Sequence, residues 1–487
     1  MTALSFILFA MIGVISVVLF FNGIYYPIWL SSLILFIETS LLVWQYRQNR
    51  LGVLMLLMWL VYALPFIHIP PYILFDFNSD PVLLWGLTVN PYMVDERVIQ
   101  LTGMIGAVGG IGFVLGVTFR SRKVHRDLGQ NPDGSRRVFR TMAMQLWLVW
   151  VVIGVILSAL SAPQETILTT SYTGSKPVLE NFGSAWMISY IILSFAYSDA
   201  LLENNLSVKN KKKYIIFIAI IITIIFFNLM RGKRDSVPWV FGLALINYYW
   251  AAGITQRRDF TLPWMKLSIV AFLLVCLSLI LGILRTELAG VSLSDAATLI
   301  ESLYESERIG LADLLHGTWS AVLLTPLSVS GDHIYDLLKL GLGQDYLDLL
   351  LSTIPGFVAD AIGYIRPIDG AHGPSWEMRY GLGGTHATVV PFMNFRMIGV
   401  LLIPAIWSFY LCNFEKSVLT KIDVIRLSFL VSLALAAPQW LWYGEKSGLN
   451  AVVIWIILSF FYRVSLGLTR SSRMNFNMMT TRECKNA

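Results

Sequence analysis

The chain has 487 residues, of which 56% are hydrophobic and 14% are charged, and its formal net charge is +6. A mean hydropathy of +0.67 excludes a water-soluble domain of this length. The sequence therefore predicts an all-α polytopic membrane protein.

About twelve apolar runs, each close to the ~20 residues that cross a bilayer, are predicted as spanning helices. They cover residues 2–21, 27–44, 51–66, 98–119, 141–160, 185–202, 214–230, 237–252, 267–284, 392–413, 427–442 and 451–466. The first run lacks a basic leader and a small-residue cleavage site, so we expect a retained span and not a secretory signal.

Lysine and arginine are unevenly divided between alternate connections. One set of connections, with the tail, carries 24 of the 36 basic residues, and the positive-inside rule assigns that set and both termini to the cytoplasm. The predicted organisation is a bundle of nine spans over residues 1–284, a large extracytoplasmic loop over 285–390 that contains helices, spans ten to twelve over 391–466, and a cytoplasmic tail over 467–487.

A basic cluster, Arg231-Gly232-Lys233-Arg234-Asp235, stands between the seventh and eighth predicted spans. This topology places it outside, against the prevailing charge asymmetry. Two interpretations remain open: the cations extend to the membrane interface from the helix ends, or they form an anion clamp suited to phosphate.

The loop over residues 285–390 is much longer than the other connections, and long loops of this kind usually carry function. Ser292 to Arg308 predicts an amphipathic helix, because a capping box precedes apolar residues at helical spacing. Gly310 to Phe357 predicts helices that either enter the bilayer again or lie along its surface. The loop also gathers histidines and arginines, which suit base chemistry and anion binding: His316, His333, His372, His386, Arg285, Arg308, Arg366 and Arg379.

Several short stretches resemble the Wzy-type polymerases of O-antigen and enterobacterial common antigen. They are Leu349 to Phe357, Ile365-Arg366-Pro367, Ser375-Trp376-Glu377, His386, Pro391 and Phe392 to Gly399, together with the motif ending in Arg234. In this chain Leu229-Met230-Arg231-Gly232-Lys233-Arg234 replaces the family's glycine-rich approach to its arginine, so either Arg231 or Arg234 matches that arginine.

The resemblance implies a GT-C-like enzyme of the bacterial inner membrane that joins undecaprenyl-diphosphate-linked repeat units at the periplasmic face. Cations must then stabilise the diphosphate leaving group, and the candidates are Arg231, Arg234, Arg285, Arg366 and Arg379, with Arg234 and Arg379 preferred. A base must take the acceptor proton. His386 is the first candidate, since its position before the tenth span allows it to face the interface, and His372 and Glu377 follow.

Other chemistries are less well supported. Asp76, Asp80, Asp95 and Glu96 offer oxygen ligands for a hard cation, but we expect a metal-independent reaction without a cofactor. Nucleophile-elbow, phosphate-loop and zinc-protease motifs are absent from the sequence. The expected partners are lipid-linked oligosaccharides, membrane lipids and a chain-length regulator, not nucleic acid. An O-antigen ligase and a lipid-linked oligosaccharide flippase remain the alternatives.

Overall fold

The computed structural model describes residues 2–48, 50–67, 95–119, 298, 311–352, 361–363, 385–420, 424–443 and 448–449, with isolated residues between 452 and 464. The chain divides into two compact units. Unit 1 comprises Met1–His125, Gly310–Thr420 and Ala436–Leu449, and unit 2 comprises Arg126–Ile309, Lys421–Leu435 and Asn450–Ala487. Most described residues belong to unit 1.

All regular secondary structure in the described residues is helical, as the sequence predicts. The helices are α1 (Thr2–Phe21), α2 (Ile28–Arg47), α3 (Val53–Ile67), α4 (Glu96–Thr118), α5 (Leu311–Ile334), α6 (Gln344–Ser352), α7 (Val389–Thr420) and α8 (Val424–Tyr443). Four described segments are long and apolar enough to cross a membrane: Leu4–Phe21, Ile28–Arg47, Glu96–Thr118 and Val389–Val418. The shorter apolar helix Val53–Ile67 accompanies them.

Six predicted spans coincide with these helices. The first four predicted spans correspond to α1, α2, α3 and α4, the tenth to α7 and the eleventh to α8, with ends that differ by seven residues or fewer. The predicted spans between residues 141 and 284 lie outside the described residues, as does the predicted helix from Ser292 to Arg308 except Thr298, which is helical.

Helix α1 turns an apolar face outward. Its exposed large residues recur at helical spacing: Leu4, Ile7, Leu8, Met11, Val14, Ile15 and Val18. An exposed apolar stripe of this length is unusual for a protein surface in water but is the normal surface toward lipid. The stripe therefore agrees with the membrane assignment.

Helix α4 lies at the centre of unit 1, with 19 of its 23 residues buried. Its glycines let neighbouring helices approach closely, because a β-carbon at these positions would overlap the neighbour. Gly106 and Gly109 face the rings of α3, whereas Gly112 and Gly116 lie against the backbone of α7. The glycines therefore allow α3 and α7 to pack in direct contact with α4.

Helix α7 consists of two helical pieces joined at Arg396, whose backbone has φ 54° and ψ −146°. The carbonyl of Pro391 lies against Gly399. These residues would be roughly 12 Å apart along a straight helix. The chain therefore folds back sharply at Arg396, and residues 385–395 run in the direction opposite to the long piece that follows.

Helix α5 packs along α4 and shows how part of the large loop is built. Thr102 of α4 donates a 3.0 Å hydrogen bond to Ser330 of α5, and Tyr335 lies beside Asp95. The two helices are therefore antiparallel, and buried α5 residues such as Val322 and Val329 lie alongside a spanning helix. Within the stretch from Gly310 to Phe357, the segment Leu311–Ile334 thus belongs to the helical bundle.

Few residues of unit 2 are described. They include the first part of α8, up to Leu435, where Leu430 and Val431 are fully buried. The rings of Phe429 and Trp455 contact each other at 5.0 Å. The described residues between 452 and 464 are helical and fall within the predicted twelfth span.

Candidate functional site

Most predicted site residues lie outside the described residues. They are the five candidate diphosphate ligands Arg231, Arg234, Arg285, Arg366 and Arg379, and the candidate bases His372 and Glu377. Their assignments remain predictions. His386 is described, and so is the segment Phe392 to Gly399 that contributes to the family resemblance.

His386 is fully buried, and both of its ring nitrogens have partners. The backbone N–H of Thr388 donates to Nδ1 at 3.3 Å, and Oγ1 of Thr388 lies 3.0 Å from the same nitrogen. Because Nδ1 accepts a hydrogen bond, the ring proton belongs on Nε2. Nε2 then donates to the backbone carbonyl of Tyr62 at 3.1 Å.

The position of His386 differs from the interfacial position considered from the sequence. Tyr62, its neighbour, donates a 2.9 Å hydrogen bond to the carbonyl of Gly106, which lies about halfway along α4. The rings of Tyr62 and Phe66 contact the imidazole edge on. The reversal at Arg396 is the cause, because it lets residues 385–395 begin deep among the helices and rise toward the turn.

Burial lowers the pKa of His386 to about 3, so the imidazole is neutral at neutral pH. A neutral imidazole is the form that a general base requires. In this conformation, however, the lone pair on Nδ1 is already engaged by Thr388. The catalytic role of His386 stays a prediction, and the described contacts give the residue a structural role.

A second group of residues lies where α7 turns back. We define the Arg396 cluster as Phe20, His333, Leu338, Phe392 and Arg396. One guanidinium nitrogen, Nη2 of Arg396, donates to the carbonyl of Leu338 at 2.6 Å. The guanidinium carbon lies 5.8 Å from the centre of the Phe392 ring, a cation–π distance. Nη1 has no hydrogen-bond partner among the described residues.

His333 completes this cluster. Its ring stacks on Phe20 at 5.0 Å and meets Phe392 edge on at 5.5 Å. Burial, reinforced by the positive charge of Arg396, lowers the pKa of His333 to about 4. The cluster therefore holds a neutral imidazole beside a permanently charged guanidinium.

Asn394 fixes the loop after α5 to the turn. Its amide donates to Asp345 at 2.7 Å, and its carbonyl accepts from the backbone N–H of Gly343 at 2.8 Å. Burial raises the pKa of Asp345. Gly343 has φ 90°, a left-handed conformation that glycine tolerates best. The loop is therefore bound to the same turn that presents Arg396.

Two of the four acids considered as metal ligands are described. Asp95 caps α4 through the backbone N–H of Arg97 at 2.9 Å and pairs with the Arg97 guanidinium at 2.9 Å. These hydrogen bonds lower the pKa of Asp95 to about 2. Tyr335 also donates to this carboxylate. The carboxylate of Asp95 is thus already hydrogen-bonded to Arg97 and Tyr335. Asp76 and Asp80 lie outside the described residues.

The sequence interpretation missed three residues that the fold makes prominent. Arg396 stands in the segment that carries the resemblance but was not proposed as a ligand. Glu38 and Glu415 are fully buried acids. The sequence contained a signal for Glu38, because a lone acid inside an apolar span is a functional candidate by default.

No protein-family model, curated protein or solved structure matches this chain. The residues of this chain and the motif resemblance are therefore the basis for inferring its function.

Proposed function

We propose that this protein polymerises undecaprenyl-diphosphate-linked oligosaccharide repeat units into a surface polysaccharide. The enzyme is a GT-C-like glycosyltransferase of about twelve spans in the bacterial inner membrane, with both termini in the cytoplasm. The reaction takes place at the periplasmic face and uses neither a metal nor a cofactor. The motif resemblance is the starting point of this proposal.

The observation that carries the proposal furthest is the guanidinium of Arg396. Arg396 belongs to the segment Phe392 to Gly399 that resembles the polymerases. It stands at the point where α7 reverses its direction. A non-glycine residue at φ 54° is strained, and such strain occurs preferentially at functional positions. One nitrogen of the guanidinium has no described partner, so the group has donor capacity for an anion.

The chemistry requires a stabilised leaving group. When the growing chain moves to a hydroxyl of the second lipid-linked unit, the bond from the sugar to the diphosphate breaks and negative charge develops there. Arginine suits this task because its planar group binds two phosphate oxygens and stays charged. Arg234 and Arg379 remain the preferred pair, and we add Arg396 to the candidates.

The acceptor hydroxyl must also lose its proton. His386, His372 and Glu377 are the proposed bases, and a role for His386 requires the hydrogen bond from Thr388 to open. His333 is a further neutral imidazole, and it lies beside Arg396. Its place in the Arg396 cluster suits a base that works next to the leaving diphosphate.

The test is reconstitution of the purified full-length protein with an undecaprenyl-diphosphate repeat unit, without nucleotide or metal. We expect a ladder of repeats on a gel. An added chelator should leave the ladder unchanged, and loss of the ladder on chelation contradicts metal independence.

The same preparation separates the alternatives. Transfer to lipid A core, when that acceptor is supplied and no ladder forms, identifies a ligase. Movement of the lipid-linked unit across liposomes, without transfer to either acceptor, identifies a flippase. Either result overturns the polymerase proposal.

A further inference from the structure

Three polar residues form a buried row along α2. Ser31, Glu38 and Gln45 stand seven residues apart, so they share one face of the helix. Ser31 is 2% exposed, and Glu38 and Gln45 are 0% exposed. The row covers roughly 21 Å along the helix axis, which is most of the apolar thickness of a bilayer. We call this row the polar seam.

The seam differs from the other polar residues of α2 in its hydrogen bonding. Ser32, Thr39 and Ser40 each donate to a carbonyl four residues earlier, at 2.8–3.0 Å. By contrast, Oγ of Ser31, both carboxyl oxygens of Glu38 and both amide atoms of Gln45 have no hydrogen-bond partner within the part of the chain that the structure describes. Unpaired polar atoms in an apolar interior are costly, so their alignment calls for a role.

The opposite helix is shaped to accept the seam. Gly103 and Gly110 of α4 are also seven residues apart, and each faces one seam residue. A β-carbon on Gly103 would lie 3.2 Å from Oγ of Ser31, and one on Gly110 would overlap the carboxyl of Glu38. The carboxyl of Glu38 therefore occupies the space that the missing side chain of Gly110 leaves open.

The surroundings of Glu38 contain no compensating charge in the described helices packed against α2. Helix α3 has no charged residue, and α4 has none between Val98 and Thr118. Tyr62 of α3 is the titratable neighbour. An ionised carboxylate at this place would be a lone charge among apolar side chains, which costs several kcal/mol or more.

Glu415, in the same unit, has surroundings that favour an ionised carboxylate. It is equally buried, but its two oxygens accept from the backbone N–H groups of Leu54 and Met55, at 2.8 and 3.3 Å. These groups form the first turn of α3, where the helix dipole favours a negative charge. Glu38 has no such donors among the described residues, so the two glutamates differ in the form that their described surroundings stabilise.

We propose that Glu38 is a proton-binding site inside the membrane-spanning bundle and that the polar seam is the path by which its proton exchanges. The neutral acid is the resting form, and it becomes a carboxylate only when its proton leaves. Ser31 and Gln45 supply the next polar side chains on the same face of α2, one on either side of Glu38. This site is independent of the proposed glycosyl transfer, and a negative result leaves the polymerase proposal untouched.

The first test is infrared spectroscopy of the full-length protein in lipid at neutral pH, wild type minus E38Q. Glutamine has nearly the same shape as a protonated glutamate, so E38Q is expected to fold. We expect the C=O band of a protonated carboxylic acid in the wild type, its loss in E38Q, and its shift to lower frequency in heavy water. Absence of the band overturns proton binding, and a band that heavy water does not shift overturns exchange through the seam.

A second test needs no variant. The apolar reagent dicyclohexylcarbodiimide adds the O–H of a protonated acid across one C=N bond, and the acyl group then migrates to nitrogen without a leaving group. Mass spectrometry of the labelled wild type should locate the adduct at Glu38. Glu415 is the internal control, because its two N–H donors favour the anion, which we expect to be unreactive. Equal labelling of both glutamates, or labelling of Glu415 alone, contradicts the proposal.

Discussion

The indole N–H of Trp442 donates a 2.7 Å hydrogen bond to the backbone carbonyl of Val61. In a regular helix this carbonyl would accept from the N–H four residues later, but that residue is Pro65, which has no N–H. The carbonyl of Leu441, the residue before Trp442, accepts a 2.9 Å hydrogen bond from the backbone N–H of Ala387. The end of α8, the segment that carries His386 and the proline of α3 are thus joined at one place.

Replacing Trp442 with phenylalanine should destabilise the protein by about 1–3 kcal/mol, because the partly buried Val61 carbonyl then loses this donor. Thermal unfolding in detergent, followed by size-exclusion chromatography, measures the effect. The matched control is P65A, which restores the helical N–H. In the P65A background W442F should lower the free energy of unfolding clearly less than in the wild type. An equal loss of stability in both backgrounds contradicts the explanation.

Replacing Glu415 with glutamine should also lower stability, by about 1–3 kcal/mol. One carboxylate oxygen becomes an NH2 group, which cannot accept from the N–H of Met55, and the charge that favours the start of α3 is lost. The control is E38Q, where the same substitution replaces a neutral acid and should leave the unfolding temperature nearly unchanged. A larger loss for E38Q than for E415Q would reverse both assignments.

Stability should fall at acid pH in a way that depends on His386. Its pKa in the folded protein is about 3, below the ordinary value near 6.5, so folding favours the neutral ring. The contribution is therefore complete above about pH 6.5 and is lost as the pH falls toward 3. The variant H386Q should show a weaker loss over this range, and an unchanged pH profile excludes the buried neutral histidine.

Replacing Arg396 with lysine should raise the KM for the lipid-linked substrate about tenfold, since an ammonium cannot both reach the Leu338 carbonyl and bind two phosphate oxygens. Expression level and unfolding temperature should stay close to those of the wild type. Initial rates at several substrate concentrations give both KM and kcat. An unchanged kcat/KM would remove Arg396 from the diphosphate site, whereas a fall in kcat with an unchanged KM is the result expected for a contact made only as the diphosphate charge develops.

Replacing Arg234 with alanine should abolish polymer formation while the protein still inserts into the membrane. The reason is the loss of a cation that stabilises the departing diphosphate. Comparison with R231A decides which of the two arginines matches the polymerase motif, because only one of the variants should lose the ladder completely. Full-length polymer from R234A would remove Arg234 from the site.

Much of the described fold was predictable from hydropathy. The helices at the first four predicted spans, the tenth and the eleventh were located correctly, and four of them are long and apolar enough to cross a membrane, because each of these segments places apolar side chains in sequence. Depth within the large loop was not predictable. The segment from Leu311 to Ile334 carries small and polar residues that suit either water or a helix interface, and packing along α4 decided between them.

The candidate site was less accessible to sequence reasoning. His386 drew attention as a loop histidine before a span, yet its environment depends on the reversal at Arg396, a single residue whose backbone departs from helical geometry. A resemblance between motifs identifies residue types and their order in the chain. It does not state which nitrogen of an imidazole accepts a hydrogen bond or how deep the ring lies.

The sequence by itself determined that this chain is a helical membrane protein and where most of its described helices lie, because helix formation in lipid depends on local composition and on hydrogen bonds within one segment. Only the tertiary structure decided the state of its buried polar groups. Glu38 and Glu415 are both acids inside apolar helices, and the sequence alone does not distinguish them. The N–H groups at the start of α3 donate hydrogen bonds to Glu415. Gly110 of α4 only leaves space for the carboxyl of Glu38. This difference arises because the fold brings together helices that are far apart in the sequence.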